Sequence, residues 1–491
     1  MNKEYDLIIV GSGAGGATVA SRLAPLAKQG VRIALLEAGP HFSNRYFTQR
    51  EIEMFDLFYD RGAWPTADGA VTVSFGKAVG GSTLMYTGVT FRLPDDVCRQ
   101  WGVEGLTPED LAPRFARLEK EVNVMTPGPE MVNENNRLFR KGCEALDLPV
   151  KDIQLNLDGC EQMGFCNLGC VRHHKQGTAA VQVPQAVAAG VELVPNCEVR
   201  RIAGHTLEAT VKPTPPGTEP GPWSPGEYRI SARQIVLAGG TVGSTALLLR
   251  SGFERELPAL GKYVTIHPAM TVYGIHPQKV EAFRGFPKVY YTDAFSEKEG
   301  FYLETAFYYP FITAKNTALW GTELTHVMQR YDRLMGIIIL AHDEALATNR
   351  IRLDSKGLPQ LKYQLSERSI EALCDGQRRA SRIFFAAGCE QVVMPNARQI
   401  LFGPNATDEL DSFISPRHFL PNKTPIASAH LQGGCRMGQG PEDSVCDSRG
   451  RVHGHPHLFV ADGSLFPQSA HVNPYLTIMA LADRVAEGVV A

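Results

Sequence analysis

Residues 5–37 read YDLIIVGSGAGGATVASRLAPLAKQGVRIALLE, and this stretch decides the fold of the region around it. An apolar strand runs into a glycine-rich turn, a helical pattern follows, and a second apolar strand ends at Glu37. Glycines permit a tight turn against a pyrophosphate, the helix N-terminus offers amides to its phosphates, and an acid at this spacing accepts ribose hydroxyls. The stretch therefore predicts a dinucleotide-binding unit without separating NAD from FAD.

Two segments near the other end of the sequence place a histidine and an asparagine on either side of a turn. Residues 428–438, SAHLQGGCRMG, contain His430, and residues 471–480, HVNPYLTIMA, contain Asn473. Between them, residues 458–467, LFVADGSLFP, predict a short apolar strand followed by a tight Asp-Gly turn. One histidine among 14 is more often a core or surface residue than a catalytic base. The interpretation of His430 as a base therefore needs the support of the nucleotide-binding motif.

Three further segments carry the glycine pattern through the middle of the chain. They are residues 75–84 (FGKAVGGSTL), 235–252 (IVLAGGTVGSTALLLRSG) and 260–268 (LGKYVTIHP). The first has the glycine density that lets a backbone lie against a ligand, and the second predicts a strand, a glycine turn and a helix. Together with the terminal segments they resemble, in family order, the glucose-methanol-choline (GMC) FAD-dependent oxidoreductases. The resemblance is to the bacterial branch similar to long-chain alcohol oxidases and cholesterol oxidases.

The resemblance implies an α/β fold, α+β overall. We expect a Rossmann-like FAD-binding domain of discontinuous segments, and a substrate domain with an antiparallel sheet flanked by helices. The FAD-binding domain is predicted to contain residues 1–93, 171–268 and 428–491. Residues 94–170 are expected to form a helical and cysteine-loop insertion, and residues 269–427 the substrate-binding domain. At 491 residues the chain is too long for one compact core, which agrees with several lobes.

The resemblance also assigns residues to FAD. They are Gly11, Gly13, Ala14, Gly16, Glu37, Ala38, Gly76, Val79, Gly80, Gly81, Ser82, Val199, Ala238, Gly239, Asp462, Gly463, Asn473 and Pro474. The sequence departs from the family at Tyr86, where Asn is common, so local contacts differ there. Some members attach FAD covalently to a histidine in this loop, but residues 75–92 contain none, and we expect non-covalent FAD.

Alcohol oxidation requires a hydride acceptor in contact with the carbon and a base within hydrogen-bond reach of the hydroxyl. The resemblance gives flavin N5 the first role and His430 the second, because an imidazole with a pKa of about 6.5 accepts protons near neutral pH. Asn473 is expected to donate to the developing alkoxide, with His471 as the runner-up. The predicted enzyme is a GMC-type flavin alcohol dehydrogenase or oxidase.

Aromatic residues are dense between residues 283 and 311. Since aromatic residues favour strands, most of them are expected in an ordinary sheet core. In the family the corresponding sheet covers the reactive face of the flavin, which favours an apolar or aromatic alcohol as the small-molecule substrate. Residues 321–334 predict a helix over this region, and residues 366–387 predict a longer amphipathic helix. Oxygen, a quinone or a redox protein remain open as the electron acceptor.

Two other functions remain open. One is a non-catalytic flavin subunit that keeps the fold, although the presence of both His430 and Asn473 argues against it. The other is different chemistry in the same fold, such as the reduction of a double bond.

Residues 160–170, CEQMGFCNLGC, group three of the ten cysteines. Thiolates at Cys160, Cys166 and Cys170 can ligate iron, and an iron-sulfur cluster of three irons would suit a sugar-type dehydrogenase of the same superfamily. The alternative is a glycine-rich loop whose thiols pack near the flavin domain. We favour the second interpretation, under which no metal is expected.

Charge and hydropathy exclude several partners. A formal net charge of −3 gives no electrostatic case for nucleic acid. No run of eighteen apolar residues exists, so no membrane span is expected. The first four residues lead straight into a predicted strand, which leaves no room for a signal peptide and favours a cytoplasmic protein with reduced thiols. Export with a partner subunit remains open.

Overall fold

A computed structural model describes residues 1–62, 64–396, 398 and 400–490. Its strands form two large sheets, one built around parallel strands and one mainly antiparallel, and each has its own hydrophobic core. The predicted fold class, a mixture of α and β structure with a Rossmann-like part, is confirmed.

The parallel sheet contains the predicted dinucleotide-binding unit. Its parallel strands are, in spatial order, Glu192–Val194, Ile33–Leu36, Asn2–Val10, Gly226–Leu237 and Leu458–Val460. Numbered along the chain, these strands follow the order 3-2-1-4-5 of a Rossmann sheet. Ile8, Ile9 and Leu35 are fully buried, as expected for parallel strands that are covered on both faces.

The long strand Gly226–Leu237 joins an antiparallel hairpin to the parallel strands of the same seven-stranded sheet. One of its edges pairs with Asn2–Val10. Its other edge pairs first with Thr206–Val211, which continues to Cys197–Ala203, and then with Leu458–Val460. The C-terminal segment and the N-terminal unit therefore meet through this one strand.

In the part of the chain that the structure describes, five helices pack around the parallel sheet. They are Ala14–Ala27, Pro108–Glu121, Gln182–Ala188, Gly240–Arg250 and Tyr475–Val489. Arg114 joins two of them, because its guanidinium lies 2.6 Å from Asp483 and 2.8 Å from Glu487. Asp483 is buried, so a paired cation stabilises its carboxylate.

The second sheet has ten strands. Eight of them are, in spatial order, Trp64–Pro65, Val71–Val73, Ile426–Ser428, Ala269–Ile275, Leu334–Ala341, Phe301–Thr305, Tyr290–Thr292 and Lys151–Asp152. Gln391–Val393 and Leu401–Phe402 branch from Ala269–Ile275. The pairing is antiparallel except between Ile426–Ser428 and Val71–Val73. Residues 64–73, which the sequence placed with the FAD-binding segments, thus pair in this sheet, and the remaining domain boundaries stay a prediction.

Two long helices cover one face of the second sheet. They are Glu134–Glu144 and Glu367–Ala387, and the second is capped by the hydroxyl of Ser366, which accepts from the N–H of Ser369 at 3.1 Å. The shorter helices are Asp95–Trp101, Ser296–Glu299, Pro310–Thr317, Gly321–Met328 and Leu410–Phe413.

The helix predicted over residues 321–334 is shorter than expected. It ends at Met328, and the strand Leu334–Ala341 begins where the prediction still had helix. The apolar run of this strand is buried in the sheet centre, where packing overrides the local helical pattern. Among the residues that the structure describes, no helix is both long and apolar enough to cross a membrane.

Candidate active site

The glycine turn after the first strand brings distant parts of the backbone into contact. Gly11 has a φ of 104°, and a Cβ atom there would lie 2.2 Å from the carbonyl oxygen of Ala238. A Cβ atom on Gly16 would lie 1.8 Å from the carbonyl oxygen of Gly11. Because both contacted atoms are backbone atoms, neither position accepts a side chain. The turn, its helix and the end of Gly226–Leu237 therefore pack backbone to backbone.

The helix Ala14–Ala27 begins with amides that no side chain of its own caps. Its N-cap residue is Gly13, and residues 14–17 are only alanine and glycine. A Cβ atom on Gly13 would meet the Cα of Gly81 at 3.8 Å, an ordinary contact distance. A helix N-terminus with free amides and room in front of it suits phosphate groups.

Glu37 is a buried carboxylate at the end of the second strand. Its Oε2 accepts from the N–H and the hydroxyl of Ser12 at 3.0 and 2.7 Å, and its Oε1 accepts from the N–H of Gly39 at 2.9 Å. Burial raises the pKa of this carboxyl, and these donors oppose the shift. The N–H of Cys197 donates to the Glu37 carbonyl at 2.7 Å, so the strand Cys197–Ala203 lies beside the acid. The predicted adenosine-side residues at this corner are Glu37, Ala38 and Val199.

Residues 75–86 fold back onto the glycine turn. The N–H of Gly80 donates to the hydroxyl of Ser12 at 3.0 Å. Gly80 and Gly81 have φ values of 94° and 53°, and a Cβ atom on Gly81 would lie 2.8 Å from the Cα of Gly13. The two glycine-rich segments thus lie against each other so closely that position 81 has room only for glycine. The predicted cofactor residues carried by this loop are Gly76, Val79, Gly80, Gly81 and Ser82.

Asp462 joins the C-terminal strand to the second glycine turn, which contains Ala238 and Gly239. Its Oδ2 accepts from the N–H of Gly240 at 2.9 Å, and its Oδ1 accepts from the N–H of Ser464 at 2.8 Å. Burial raises the pKa of this carboxyl, and its hydrogen bonds oppose the shift. The carbonyl of Gly463 accepts from the N–H of Gly433 at 2.9 Å, which brings the segment 428–438 to the same place.

His430 forms a pair with His267. Their Nδ1 atoms lie 3.0 Å apart, so one proton is shared between two ring nitrogens. Burial lowers the pKa of His430 to about 3, with the charge of Lys288 adding to the shift, and it lowers the pKa of His267 well below its usual range. Both rings are therefore neutral near pH 7.

The shared proton decides what His430 can do. When Nδ1 of His430 is the donor, its Nε2 has a free lone pair and can accept a proton. When His267 donates, Nε2 of His430 carries a hydrogen and cannot act as a base. His267 is fully buried, its Nε2 has no hydrogen-bond partner among the described residues, and its Nδ1 contact makes it a positioning residue for the His430 ring.

Asn473 is held by Tyr302 from the second sheet. The Tyr302 hydroxyl donates to Oδ1 of Asn473 at 2.7 Å, which orients the amide so that its Nδ2 is the group left to donate. The Tyr302 ring lies 5.6 Å from the His267 ring, centroid to centroid. Asn473, Tyr302, His267 and His430 therefore form one connected group, and Pro474 follows as the N-cap residue of the helix Tyr475–Val489.

His471 lies in a different contact. Its ring stacks on that of His342 at 4.1 Å with an angle of 6° between the planes. Burial and the neighbouring His471 lower the pKa of His342 to about 3, and burial also lowers the pKa of His471. The runner-up histidine thus pairs with His342, whereas Asn473 pairs with Tyr302.

Tyr86, the departure from the family pattern, has structural partners. Its hydroxyl donates to Oδ1 of Asn156 at 2.8 Å, and its ring lies 4.9 Å from that of Tyr475. The Lys175 ammonium donates to the carbonyl oxygen of Tyr86 at 2.6 Å and lies 4.9 Å from its ring. Tyr86 therefore ties the loop to the start of the last helix.

The cysteine loop is partly buried, with Cys160, Cys166 and Cys170 all of intermediate exposure. Cys166 lies in a short helical turn, and burial raises the pKa of its thiol to about 12, although the Lys175 ammonium opposes the shift. Its carbonyl oxygen accepts from Lys175 Nζ at 2.6 Å. Among the residues described, no group of three or more His, Cys, Asp or Glu side chains is placed to hold a metal ion. The thiols of Cys160 and Cys170 lie near enough to contribute to the raised pKa of Cys166, so the choice between packed thiols and a cluster stays a prediction.

We expect Cys166→Ala to lower the free energy of unfolding by about 1 kcal/mol, as for other small buried deletions, while the rate of electron transfer changes little. Purified protein should contain no stoichiometric iron. Iron analysis and paramagnetic resonance after anaerobic purification check this. About three irons per chain with a matching signal would overturn the prediction and restore the cluster.

The comparisons with known proteins agree with this geometry. A family model described as GMC oxidoreductase matches residues 5–269, and a C-terminal model with the same description matches residues 345–482. The chain therefore belongs to the GMC oxidoreductase family. It is an FAD-dependent oxidoreductase, as the sequence predicts.

Individual relatives cover nearly the whole chain. It is 30% identical to an uncharacterized GMC-type oxidoreductase of Mycobacterium tuberculosis (strain CDC 1551 / Oshkosh), over 99% of this chain and 76% of the relative. It is 28% identical to the long-chain-alcohol oxidase FAO4A of Arabidopsis thaliana, over 100% of this chain and 69% of the relative. The crystal structure of pyridoxine 4-oxidase from Mesorbium loti has the same fold, with a TM-score of 0.70 at 19% identity over 98% of both chains.

Sequence reasoning missed the partners of the predicted residues. Ser12 occupies a variable position between two glycines of the motif, so the sequence pattern did not mark it as functional. In the structure its hydroxyl joins Glu37 to Gly80. His267 lies in the segment 260–268, whose resemblance to the family does not assign this histidine a role. Its position directly before Pro268, at the start of the sheet strand, was the one available signal. Tyr302 was one of many aromatic residues.

Proposed function

We propose that the protein oxidises an alcohol to a carbonyl compound, with His430 as the base. The connected group from His430 through His267 and Tyr302 to Asn473 carries this proposal. It provides a neutral imidazole and an oriented amide in one place, as removal of a hydroxyl proton and stabilisation of the resulting oxygen require.

Each residue has one task in this reaction. The hydroxyl proton passes to Nε2 of His430, and Nδ2 of Asn473 donates to the developing alkoxide. His267 keeps the proton of the pair on Nδ1 of His430, so that Nε2 stays an acceptor. FAD, when bound, supplies the acceptor for the hydride that leaves the carbon.

We propose further that FAD lies along the two glycine-rich segments. The pyrophosphate would take the amides at Gly13 and Ala14, and Glu37 would accept ribose hydroxyls while keeping its Ser12 bonds, since each carboxylate oxygen can accept more than one donor. Asp462, Gly463 and Pro474 would lie at the flavin end. Two observations support this placement: among the described residues, no side chain caps the helix, and no heavy atom of a more distant residue would lie nearer than 3.8 Å to a Gly13 Cβ.

The substrate side is mainly apolar. The face of the second sheet that carries Tyr302 also carries Ala269, Ile338 and Leu340, which form a small cluster of their own with the half-buried Tyr291 and Tyr308. This composition supports an apolar or aromatic alcohol. The similarity to a plant long-chain-alcohol oxidase is consistent with that class.

Anaerobic titration tests the proposal. The purified holoenzyme is mixed with primary, secondary and aromatic alcohols without oxygen, and the flavin absorbance is followed. Bleaching by one class of alcohol is the expected result. No bleaching by any alcohol would favour a non-catalytic subunit or another chemistry. Stopped-flow reoxidation with oxygen and with a quinone then identifies the acceptor, and the oxidase relatives favour oxygen.

Asn473→Ala is expected to lower the rate of flavin reduction by about tenfold to a thousandfold, because one donor to the alkoxide is lost. Tyr302→Phe is the matched variant, since it keeps the amide and removes only its orienting hydrogen bond. Its effect should be smaller. Anaerobic stopped-flow rates measure both, and an Asn473→Ala enzyme as fast as the parent would contradict the assigned role.

The pH dependence follows from the pKa of His430, which burial lowers to about 3. A base is competent only above its own pKa, so protonation should slow flavin reduction only at strongly acidic pH. We expect the rate to be flat from about pH 8 to about pH 5 and to fall below that. An acid limb centred near pH 6.5 would show that His430 is solvated in the working enzyme.

Unfolding must be measured at each pH as the control. His267, His342, His430 and His471 all have pKa values below the usual range in the fold. Below about pH 6.5 the unfolded chain binds more protons than the native state. The free energy of unfolding therefore decreases as the pH is lowered. Loss of flavin reduction that coincides with loss of fold does not report on His430.

A further inference from the structure

The register of the second sheet places two rows of side chains on the face of Tyr302. In the first row Ala269, Leu340 and Tyr302 lie opposite one another across three strands. In the second row, two residues further along each strand, the aligned residues are Thr271, Ile338, Glu304 and Tyr291. Since side chains alternate between faces, both rows point to the same side of the sheet.

This face borders the substrate side. Thr271 and Ile338 each keep 8% of their surface exposed, whereas Val272 and Ile337, which point to the opposite face, are at 0%. The first row ends at Tyr302, which binds Asn473. The second row is displaced from it by about 7 Å, two residues of an extended strand.

The second row contains a buried charge pair. Glu304 is 0% exposed and Lys288 is 7% exposed, and the Lys288 ammonium donates to Oε2 of Glu304. Oε1 of Glu304 is buried, and no hydrogen-bond donor among the described residues reaches it. An unpaired carboxylate oxygen in an apolar environment is unfavourable, so this arrangement suits a donor that arrives with a ligand.

The pair lies close to the proposed base. The positive charge of Lys288 adds to the lowering of the pKa of both His430 and His267. It also opposes the burial that raises the pKa of Tyr308. Lys288 therefore lies within electrostatic range of His430 and His267, and its partner Glu304 lies in the second row.

We propose that Lys288 and Glu304 form a second polar subsite that binds a hydroxyl group of the substrate, at the end remote from the carbon that is oxidised. A hydroxyl suits the pair because it donates to Oε1 of Glu304 and accepts from Nζ of Lys288. A carboxylate would be repelled by Glu304, and an ammonium by Lys288. The substrate class is then a diol whose hydroxyls are separated by an apolar spacer.

This inference rests on the proposed function for the position of the reacting hydroxyl, so its test does not depend on turnover. Tertiary alcohols carry no hydrogen on the carbinol carbon and cannot be oxidised to a carbonyl. A diol whose two hydroxyls are both on tertiary carbons, one at each end, and the same alcohol without the far hydroxyl form a matched pair that cannot be oxidised in either orientation. Dissociation constants for holoenzyme come from calorimetry and from flavin difference spectra, with spacers of about two to eight carbons to span the distance between the rows.

The parent protein should bind the best diol about ten- to a hundredfold more tightly than its mono-alcohol, which is the usual size of hydrogen bonds to charged groups. The double variant Lys288→Met with Glu304→Leu keeps the site apolar and should abolish that preference or reverse it. Glu304→Gln is the gentler variant if the double variant does not fold, and it should weaken the preference. Glu299→Gln, at the partly buried pair with Arg379, is the control and should leave the preference unchanged.

The outcomes separate the two proposals. Equal binding of diol and mono-alcohol by the parent, or binding of neither, overturns the subsite whatever the enzyme oxidises. A diol preference that survives in folded, FAD-loaded Lys288 and Glu304 variants overturns it as well. If the parent prefers the diol and these variants lose that preference, the subsite is supported. If, in addition, no alcohol bleaches the flavin, alcohol oxidation is refuted while the subsite stands.

Discussion

His430→Ala should reduce the rate of flavin reduction by about a hundredfold to ten-thousandfold, the usual contribution of a positioned base. Without the imidazole, the hydroxyl proton has no acceptor at the reacting carbon, and the cost falls on the chemical step. The measurement is the anaerobic rate of flavin bleaching at saturating alcohol in a stopped-flow instrument.

The variant should keep its fold and its FAD. His430 lies in a partly exposed loop, and the variant loses one side-chain contact, that with Nδ1 of His267. Backbone hydrogen bonds between Thr265 and Gln432 still hold the loop. The His430 N–H donates to the hydroxyl of Ser428 at 3.0 Å, and that bond does not involve the imidazole. Equal flavin content and equal unfolding temperature in parent and variant therefore make the rate a report on chemistry.

His471→Ala is the matched control, since it removes another half-buried histidine from the same region. His471 stacks on His342, so its loss should affect the rate much less than that of His430. If the His430 variant bleaches at the parental rate and the His471 variant does not, the base has been assigned to the wrong histidine. If neither variant is slower, alcohol oxidation by this group is wrong altogether.

The sequence was sufficient to predict the part of the fold and of the candidate site that is formed by neighbours along the chain. Strand, glycine turn, helix and Glu37 occupy one stretch of 33 residues, from Tyr5 to Glu37, and the structure folds it as the spacing predicts. The glycines at positions 11 and 16 are required by backbone contacts, which is why a glycine pattern is informative.

The sequence was insufficient where partners come from far apart. His267 and His430 are separated by 163 positions, and Tyr302 and Asn473 by 171. Only the docking of the second sheet against the C-terminal segment brings them together. The pKa of His430 shows the same limit, because an isolated imidazole predicts titration near neutral pH and burial moves it to about 3.

Gly13→Val should abolish FAD binding while leaving the fold intact. At φ −69° the backbone of Gly13 suits any residue, and a Cβ atom there would meet the Cα of Gly81 at 3.8 Å. The branched side chain would instead fill the space in front of the helix amides, where a pyrophosphate must approach. Purified variant protein is thus expected to be colourless, and added FAD should not restore the flavin spectrum.

Two further glycines separate lost binding from lost folding. Gly403 has a φ of −95°, and its substitution by valine should cost little stability and no FAD, because a Cβ atom there would have no heavy atom of another described residue, beyond its chain neighbours, within 4 Å. Gly16→Val, by contrast, would force a Cβ atom to 1.8 Å from the Gly11 carbonyl oxygen and should fail to fold. Circular dichroism, unfolding temperature and FAD content of the three variants then distinguish the cases. A folded Gly13→Val protein that purifies with a full complement of FAD would show that the pyrophosphate does not lie at this helix end.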